Sequence, residues 1–226
     1  MTTVADMIID VDAILLDFDG PICSVFAGYP APQVADDLRL FLGTIGILDT
    51  DAIGAATDPL EILRWVAATY PSAALDVDGV LCAAERNAVA TASPTAHAHD
   101  AIVAARRTGR LVAIVSNNSE PAIGDYLARY SLASQVAFVA GRAHGAPELM
   151  KPHPDSVQRA LGRLGVPASA CVFVGDSVTD VAVSRLTGVR PVGYAETPDR
   201  RADLVRAGAE VVIATMRELV VALDAG

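Results

Sequence analysis

The sequence predicts an α/β protein: a mostly parallel sheet covered by helices on both faces, with a small helical domain inserted near its start. Three observations predict it. From Pro94 to the end, short apolar runs alternate with helical patterns, and strands alternating with helices build parallel sheets. One apolar run, Ala13–Leu16, stands apart near the start. Between the two lie residues 22–93, which show helical periodicity and no alternating strand pattern. The expected division is a core of residues 1–21 and 94–226 and a helical unit over 22–93.

Ala13–Leu16 is the kind of short apolar run that forms a buried strand. It leads into Asp17-Phe18-Asp19-Gly20-Pro21. Two carboxylates then stand at the strand's C-terminal edge, where open α/β sheets place their ligands. Carboxylates this close raise each other's pKa, so the stretch suggests a bound cation and an anionic substrate. A plain turn is the competing reading of Asp-x-Asp-Gly.

A loop with Gly28, Pro30 and Pro32 follows. The first helical pattern carries Val34, Leu38, Phe41 and Leu42. Asp58 caps the second and Pro59 opens it, with Leu60, Leu63, Val66 and Ala67 on its apolar face. The third runs through Leu81, Ala84, Ala88 and Ala92. Further on, helices are expected over 98–108, 121–130, 154–164, 178–186, 199–207 and 216–223. Strands are expected over 111–115, 136–139, 171–174, 189–193 and 211–214. Ser119 reads as a cap and Asn118 as a turn residue.

The chain has 226 residues, 52% of them hydrophobic, which is enough for a substantial core and too many for disorder. A net charge of −10 argues against nucleic acid or an anionic membrane as partner. No run approaches the roughly 18 apolar residues of a membrane span. The first basic residue is Arg39, so the chain lacks the positive start of a signal peptide. Cys23, Cys82 and Cys171 are scattered. A reduced, cytoplasmic protein, monomer or dimer, is expected. Of 17 basic residues, Lys151 alone is a lysine. Arginine serves everywhere else, which singles out position 151 for a specific task.

Three more expected strand or helix ends carry polar residues: Ser116-Asn117-Asn118, Lys151-Pro152, and Gly175-Asp176-Ser177-Val178-Thr179-Asp180. In a parallel sheet these points share one edge. Unscreened, each close carboxylate pair there would repel by roughly 4 kcal/mol at an effective dielectric of about 20. Mg²⁺ suits such a site, being a hard cation that takes one or two carboxylates and keeps waters for phosphate. There is no Cys/His cluster for zinc.

In this order and on these elements, Asp17-Phe18-Asp19-Gly20, Ser116, Lys151 and Gly175-Asp176-x-x-x-Asp180 resemble the four motifs of the haloacid dehalogenase superfamily. The resemblance covers nearly the whole chain. It implies a Rossmann-like core with a mobile helical cap inserted after the first strand, and a Mg²⁺-dependent phosphatase acting on a small phosphorylated metabolite. By matching position it implies Asp17 as nucleophile and Asp19 as general acid, then base. Ser116, Gly20, Asn117 and Lys151 would hold the phosphoryl group. Asp17, the Asp19 carbonyl and Asp176 would bind Mg²⁺, with Asp180 either a further ligand or an orienting partner for Lys151. Dehalogenases and phosphonate-cleaving members lack an acid at the position of Asp19, so the acid fits phosphomonoester chemistry. Pro21 departs from the usual threonine or valine and removes a backbone N–H. Phosphoglycolate-type or sugar-phosphate substrates fit the resemblance.

Other readings stay open. A phosphomutase of the β-phosphoglucomutase kind would use the same residues, and product analysis with a hexose 1-phosphate separates the two. A non-catalytic binding protein on this fold would hydrolyse no phosphate ester. Asp180 could simply favour the first turn of a helix. Arg64 and Arg86 are candidates to reach a substrate anion, Trp65 reads as cap core, and His97, His99 and His153 read as surface or loop residues. Asp76-Val77-Asp78-Gly79 is a rival first motif, but 71–75 is a poor buried strand, and the two acids read better as the opening of a cap helix. The two assignments differ in outcome. Asp17→Asn is expected to lower turnover by several orders of magnitude and Asp76→Asn to leave it near wild type; the reverse pattern in steady-state kinetics would transfer the first motif to Asp76.

Overall fold

The computed structural model describes residues 2–225. A six-stranded parallel sheet contains β1 (Ala13–Leu16), β4 (Leu111–Val115), β5 (Phe138–Ala140), β6 (Cys171–Gly175), β7 (Arg190–Tyr194) and β8 (Val211–Ile213), in the order β5-β4-β1-β6-β7-β8. All four residues of β1 are buried, as befits a central strand covered on both faces. The period-2 alternation of a strand divides them between two cores. Ile14 and Leu16 pack with Ile102, Ile123 and Leu223, whereas Ala13 and Leu15 pack with Val157, Phe173 and Val183.

The first of these faces is covered by α5 (Ala98–Arg107), α6 (Glu120–Arg129) and α10 (Met216–Ala225). The other is covered by α7 (Asp155–Leu164) and α8 (Val178–Thr187). α9 (Pro198–Ala207) packs against β7 and β8. A short α1 (Val4–Ile8), absent from the expectation, is closed by a capping box between Thr3 and Asp6 and buries Met7 and Ile8.

The helical unit contains α2 (Ala31–Thr44), α3 (Pro59–Thr69) and α4 (Ala74–Val89). Val34, Leu38, Leu42, Ile62, Leu63, Val66, Val77 and Leu81 form a core of their own. Trp65 is partly buried against it and stacks edge-on with Tyr70. The helix α4 belongs to both bodies. Val77 and Leu81 lie in the helical unit's core, but Ala88 and Val89 lie in the core beside β1.

Several expectations shift. Residues 22–93 were expected to be purely helical, yet β2 (Cys23–Ser24) and β3 (Ser93–Pro94) pair antiparallel at the two ends of the insertion. Two residues are too few to show alternation. The strand expected at 136–139 lies at Phe138–Ala140, because a short 3₁₀ turn, Ala133–Gln135, takes up the chain before it. The Ser119 side chain forms no capping bond. Asp76 and Asp78 sit inside α4, after a 3₁₀ turn rather than a strand; Asp76 is exposed and Asp78 buried. His97 is exposed, but His99 is not a surface residue. Its Nε2 lies 2.8 Å from the Tyr126 hydroxyl and its ring packs on Tyr126 and Tyr130, where burial holds the imidazole below its ordinary pKa.

Candidate active site

The chain leaves β1 in two directions: to β4 and β5 on one side, and to β6, β7 and β8 on the other. Such a reversal opens a crevice at the strands' carboxyl ends. Register fixes what enters it. Leu16 lies opposite both Ile114 and Val174, and neighbouring strands are about 4.8 Å apart. The residues just beyond these strand ends, Asp17, Ser116 and Asp176, therefore converge. With Asp19, Gly20, Asn117 and Lys151 they line one cavity of about 1000 Å³.

Lys151 is at its centre, with a side chain 2% exposed. Its ammonium lies 2.8 Å from Asp17 Oδ1 and 2.7 Å from Asp180 Oδ1, and donates to the Val115 carbonyl at 3.1 Å. Two carboxylates and one carbonyl thus surround a single cation. Burial opposes the charge, but Asp17 and Asp180 more than offset it and hold the ammonium above its ordinary pKa. Asp17 Oδ1 also accepts from the Phe18 N–H at 2.7 Å, which fixes the carboxylate plane. Burial and the neighbouring Asp180 push Asp17 upward while Lys151 pulls it back.

Asp180 fills two roles at once. Its Oδ2 closes a capping box with Ser177, and its Oδ1 faces Lys151. It is buried behind Lys151 and does not line the cavity. Asp19 accepts the Val25 N–H on Oδ1 at 2.9 Å. Burial raises its pKa despite that bond.

Two glycines let the acids approach. Gly20 has φ +108°, and a Cβ there would stand 2.5 Å from the Asp176 carboxyl carbon. A Cβ on Gly175 would stand 2.4 Å from Asp180. The Gly20 carbonyl accepts from the Thr95 hydroxyl at 2.6 Å. Asn117 lines the cavity, and its Oδ1 accepts the Lys151 N–H at 2.8 Å. Ser116 is buried, with Oγ 3.2 Å from Asn118 Oδ1.

Sequence reasoning missed Arg200, whose guanidinium pairs with the Asp176 carboxylate and lies on the cavity wall. The signal was its place in the first turn of a helix after a parallel strand, on the same edge as the other motifs. Glu85 was missed too: it reaches the cavity from α4 and accepts the Ser119 N–H at 2.9 Å, in place of the expected serine cap. Arg64 lies on the cavity wall. Arg86 does not; it pairs with Asp125 on the surface. His153 sits outside this cavity, in a neighbouring groove.

The donor set suits a hard divalent cation. Asp17, Asp176 and Asp180 offer carboxylate oxygens that all lie within 4.8 Å of one another. No described helix is long and apolar enough to cross a membrane.

Residues 11–185 match the family model of haloacid dehalogenase-like hydrolases. The chain belongs to that family. Among curated members, phosphoglycolate phosphatase of Pectobacterium atrosepticum is 34% identical over 83 residues, 36% of this chain and 34% of that one. The Escherichia coli K12 phosphoglycolate phosphatase is 28% identical over 97 residues, 43% of this chain and 38% of that one. The alignments thus span little more than a third of these relatives' length. Among solved structures, CbbY from Rhodobacter sphaeroides in complex with phosphate superposes with TM-score 0.70 at 19% identity, covering 95% of this chain and 99% of that one. A haloacid dehalogenase family hydrolase from Deinococcus radiodurans, with bound phosphate and sodium, gives TM-score 0.61 at 25% identity over 93% of each chain. The haloacid dehalogenase fold is therefore shared over nearly the full length.

Asp176 yields a pH prediction. Burial and Asp180 push its pKa up to about 6, against the pull of Arg200. A raised folded-state pKa stabilises the fold while the group is protonated, below the unfolded value of about 3.9. That contribution is lost as pH rises through about 6. Asp176→Asn mimics the protonated form, so it is expected to stabilise the metal-free protein at neutral pH by about 3 kcal/mol and to come close to wild type near pH 4. Thermal melts at the two pH values measure this; an asparagine variant no more stable than wild type at neutral pH would contradict it.

Proposed function

We propose that this hydrolase is a Mg²⁺-dependent phosphatase that cleaves a small phosphomonoester through an aspartyl-phosphate on Asp17, with residues 22–93 as its cap. Asp19 carries the reading. It is a second acid on the same loop, anchored by Val25 and pushed above the ordinary carboxyl pKa by burial, and a poor alkoxide leaving group requires such a proton donor. The phosphoglycolate phosphatase relatives and the phosphate bound in the Deinococcus hydrolase support the same class.

Asp17 attacks phosphorus, and the bond from phosphorus to the ester oxygen breaks as Asp19 protonates the departing alkoxide. Asp19, now a carboxylate, takes a proton from water, which attacks phosphorus. The bond to Asp17 breaks and inorganic phosphate leaves. Lys151 keeps Asp17 oriented and offsets charge on the transferring group, and Ser116, Asn117 and the Gly20 backbone hold its oxygens. Mg²⁺ held by Asp17, the Asp19 carbonyl and Asp176, with Asp180 close by, would neutralise the phosphoryl oxygens. Arg64 and Arg200 make the cavity wall suited to a small anionic metabolite.

A panel of phosphate esters tests the reading. Turnover of at least one small phosphomonoester is expected with Mg²⁺, lost on chelation and restored by Mg²⁺; full activity after exhaustive chelation would remove the metal from the mechanism. Lys151→Arg is the sharper variant. The ammonium sits in a buried pocket within 3.1 Å of three oxygens, and a planar guanidinium cannot take its place without shifting them. A loss of at least about tenfold, roughly 1.4 kcal/mol of transition-state stabilisation, is expected with the fold intact by circular dichroism. An unchanged rate would exclude Lys151 from the chemistry.

A further inference from the structure

We infer that Arg142 is a positioning residue, through which the cap helix α4 sets both Ser116 and Lys151. The inference rests on the phosphatase reading of the site those two residues share. Arg142 follows β5, and its side chain is 1% exposed. It meets two acids of α4, Asp78 and Glu85, each also 1% exposed. Two helical turns separate them, so they share one face of α4. Nε and Nη2 of Arg142 donate to Asp78 Oδ1 at 2.8 and 2.6 Å, and Nη1 donates to Glu85 Oε1 at 2.8 Å. Asp78 Oδ2 accepts the Gly145 N–H at 2.6 Å.

Two routes lead from this guanidinium into the cavity. Along the first, Arg142 Nη1 donates to the Asn117 carbonyl at 2.7 Å, and Asn117 Oδ1 accepts from the Lys151 backbone N–H at 2.8 Å. Along the second, Glu85 Oε1 accepts from Asn118 Nδ2 at 3.3 Å and Oε2 accepts the Ser119 N–H. With its NH₂ end committed to Glu85, the Asn118 amide turns its oxygen toward Ser116 Oγ. The Asn118 N–H donates to the same Oγ at 3.2 Å. Asn118 thus holds the Ser116 hydroxyl as both donor and acceptor, and Glu85 of α4 orients the Asn118 amide that takes its proton's hydrogen bond. On binding, a phosphoryl oxygen replaces Asn118 Oδ1 as acceptor of the Ser116 O–H, while the Asn118 N–H keeps Oγ in place.

Packing α4 against the core does not require this network. Apolar side chains of similar volume hold helices together as well as a buried ion triad does, without the cost of desolvating three charges. What the triad adds is directional: the forked guanidinium holds two acids and a carbonyl in one fixed geometry.

Glu85→Gln and Asp78→Asn form a matched pair. Each removes one buried negative charge from Arg142, so melting temperature should fall in both. Both set an amide NH₂ against a donor, of Arg142 or Gly145 in Asp78→Asn, but only in Glu85→Gln do the affected donors include Asn118 and Ser119, on the route to Ser116. Relative to Asp78→Asn, Glu85→Gln is expected to lose at least about tenfold in kcat on a phosphomonoester, and similarly in calorimetric affinity for inorganic phosphate with Mg²⁺. Equal kcat and phosphate affinity in the two folded variants would overturn the inference. If either fails to fold, Arg142→Lys, which keeps the charge but not the fork, carries the same expectation against wild type, and unchanged kcat and affinity would overturn it. Wild-type protein that neither hydrolyses any ester nor binds phosphate overturns the phosphatase reading and this inference together. Active wild type with an equally active Glu85→Gln overturns this inference alone.

Discussion

The ammonium of Lys151 is the interaction on which the site depends. Three acids beyond two neighbouring strands would otherwise face one another across a few ångströms of protein. Lys151 lies between Asp17 and Asp180 and anchors itself on the Val115 carbonyl. One compact cation thus ties together the ends of β1 and β4 and the first turn of α8. Arg200 neutralises the third acid, Asp176, from the rim. The buried cation serves geometry, whereas the rim cation can be exchanged for solvent or ligand.

The fold provides this arrangement by topology alone. A central strand with neighbours arriving from opposite directions brings three strand ends together without any long loop. The helical unit adds the cavity's other wall. Because α4 lies partly in the helical core and partly in the sheet's core, it couples the two bodies through apolar contacts at its C-terminal end and through charges along its middle.

Legibility in the sequence followed the range of the interaction. Strands and helices of the core were readable because burial on both faces leaves unbroken apolar runs, as in Ala13–Leu16 and Leu111–Val115. Three of the four motifs were readable because each sits at the end of such a run, and Lys151 because it is the only lysine in the chain. Arg142, Glu85 and Arg200 were not. Their roles come from contacts between residues 57, 64 and 24 positions apart, and no local pattern marks a buried arginine. Asp78 looked like a motif residue and is instead a counter-ion, since identical Asp-x-Asp-Gly letters fold as helix when no apolar strand precedes them. The β2–β3 pair escaped because two residues per strand carry no period.

Gly20 and Gly175 place the acids by what they lack. Each leaves a gap one carbon atom wide, and a carboxylate of the fourth motif fills it. The spacing of the charges is therefore set by missing matter, not by added bonds. A position of this kind offers evolution no intermediate step: the smallest enlargement available, a single methyl group, already displaces an acid. The two bare backbone positions are for that reason among the least exchangeable in the chain, although neither has a side chain to contribute.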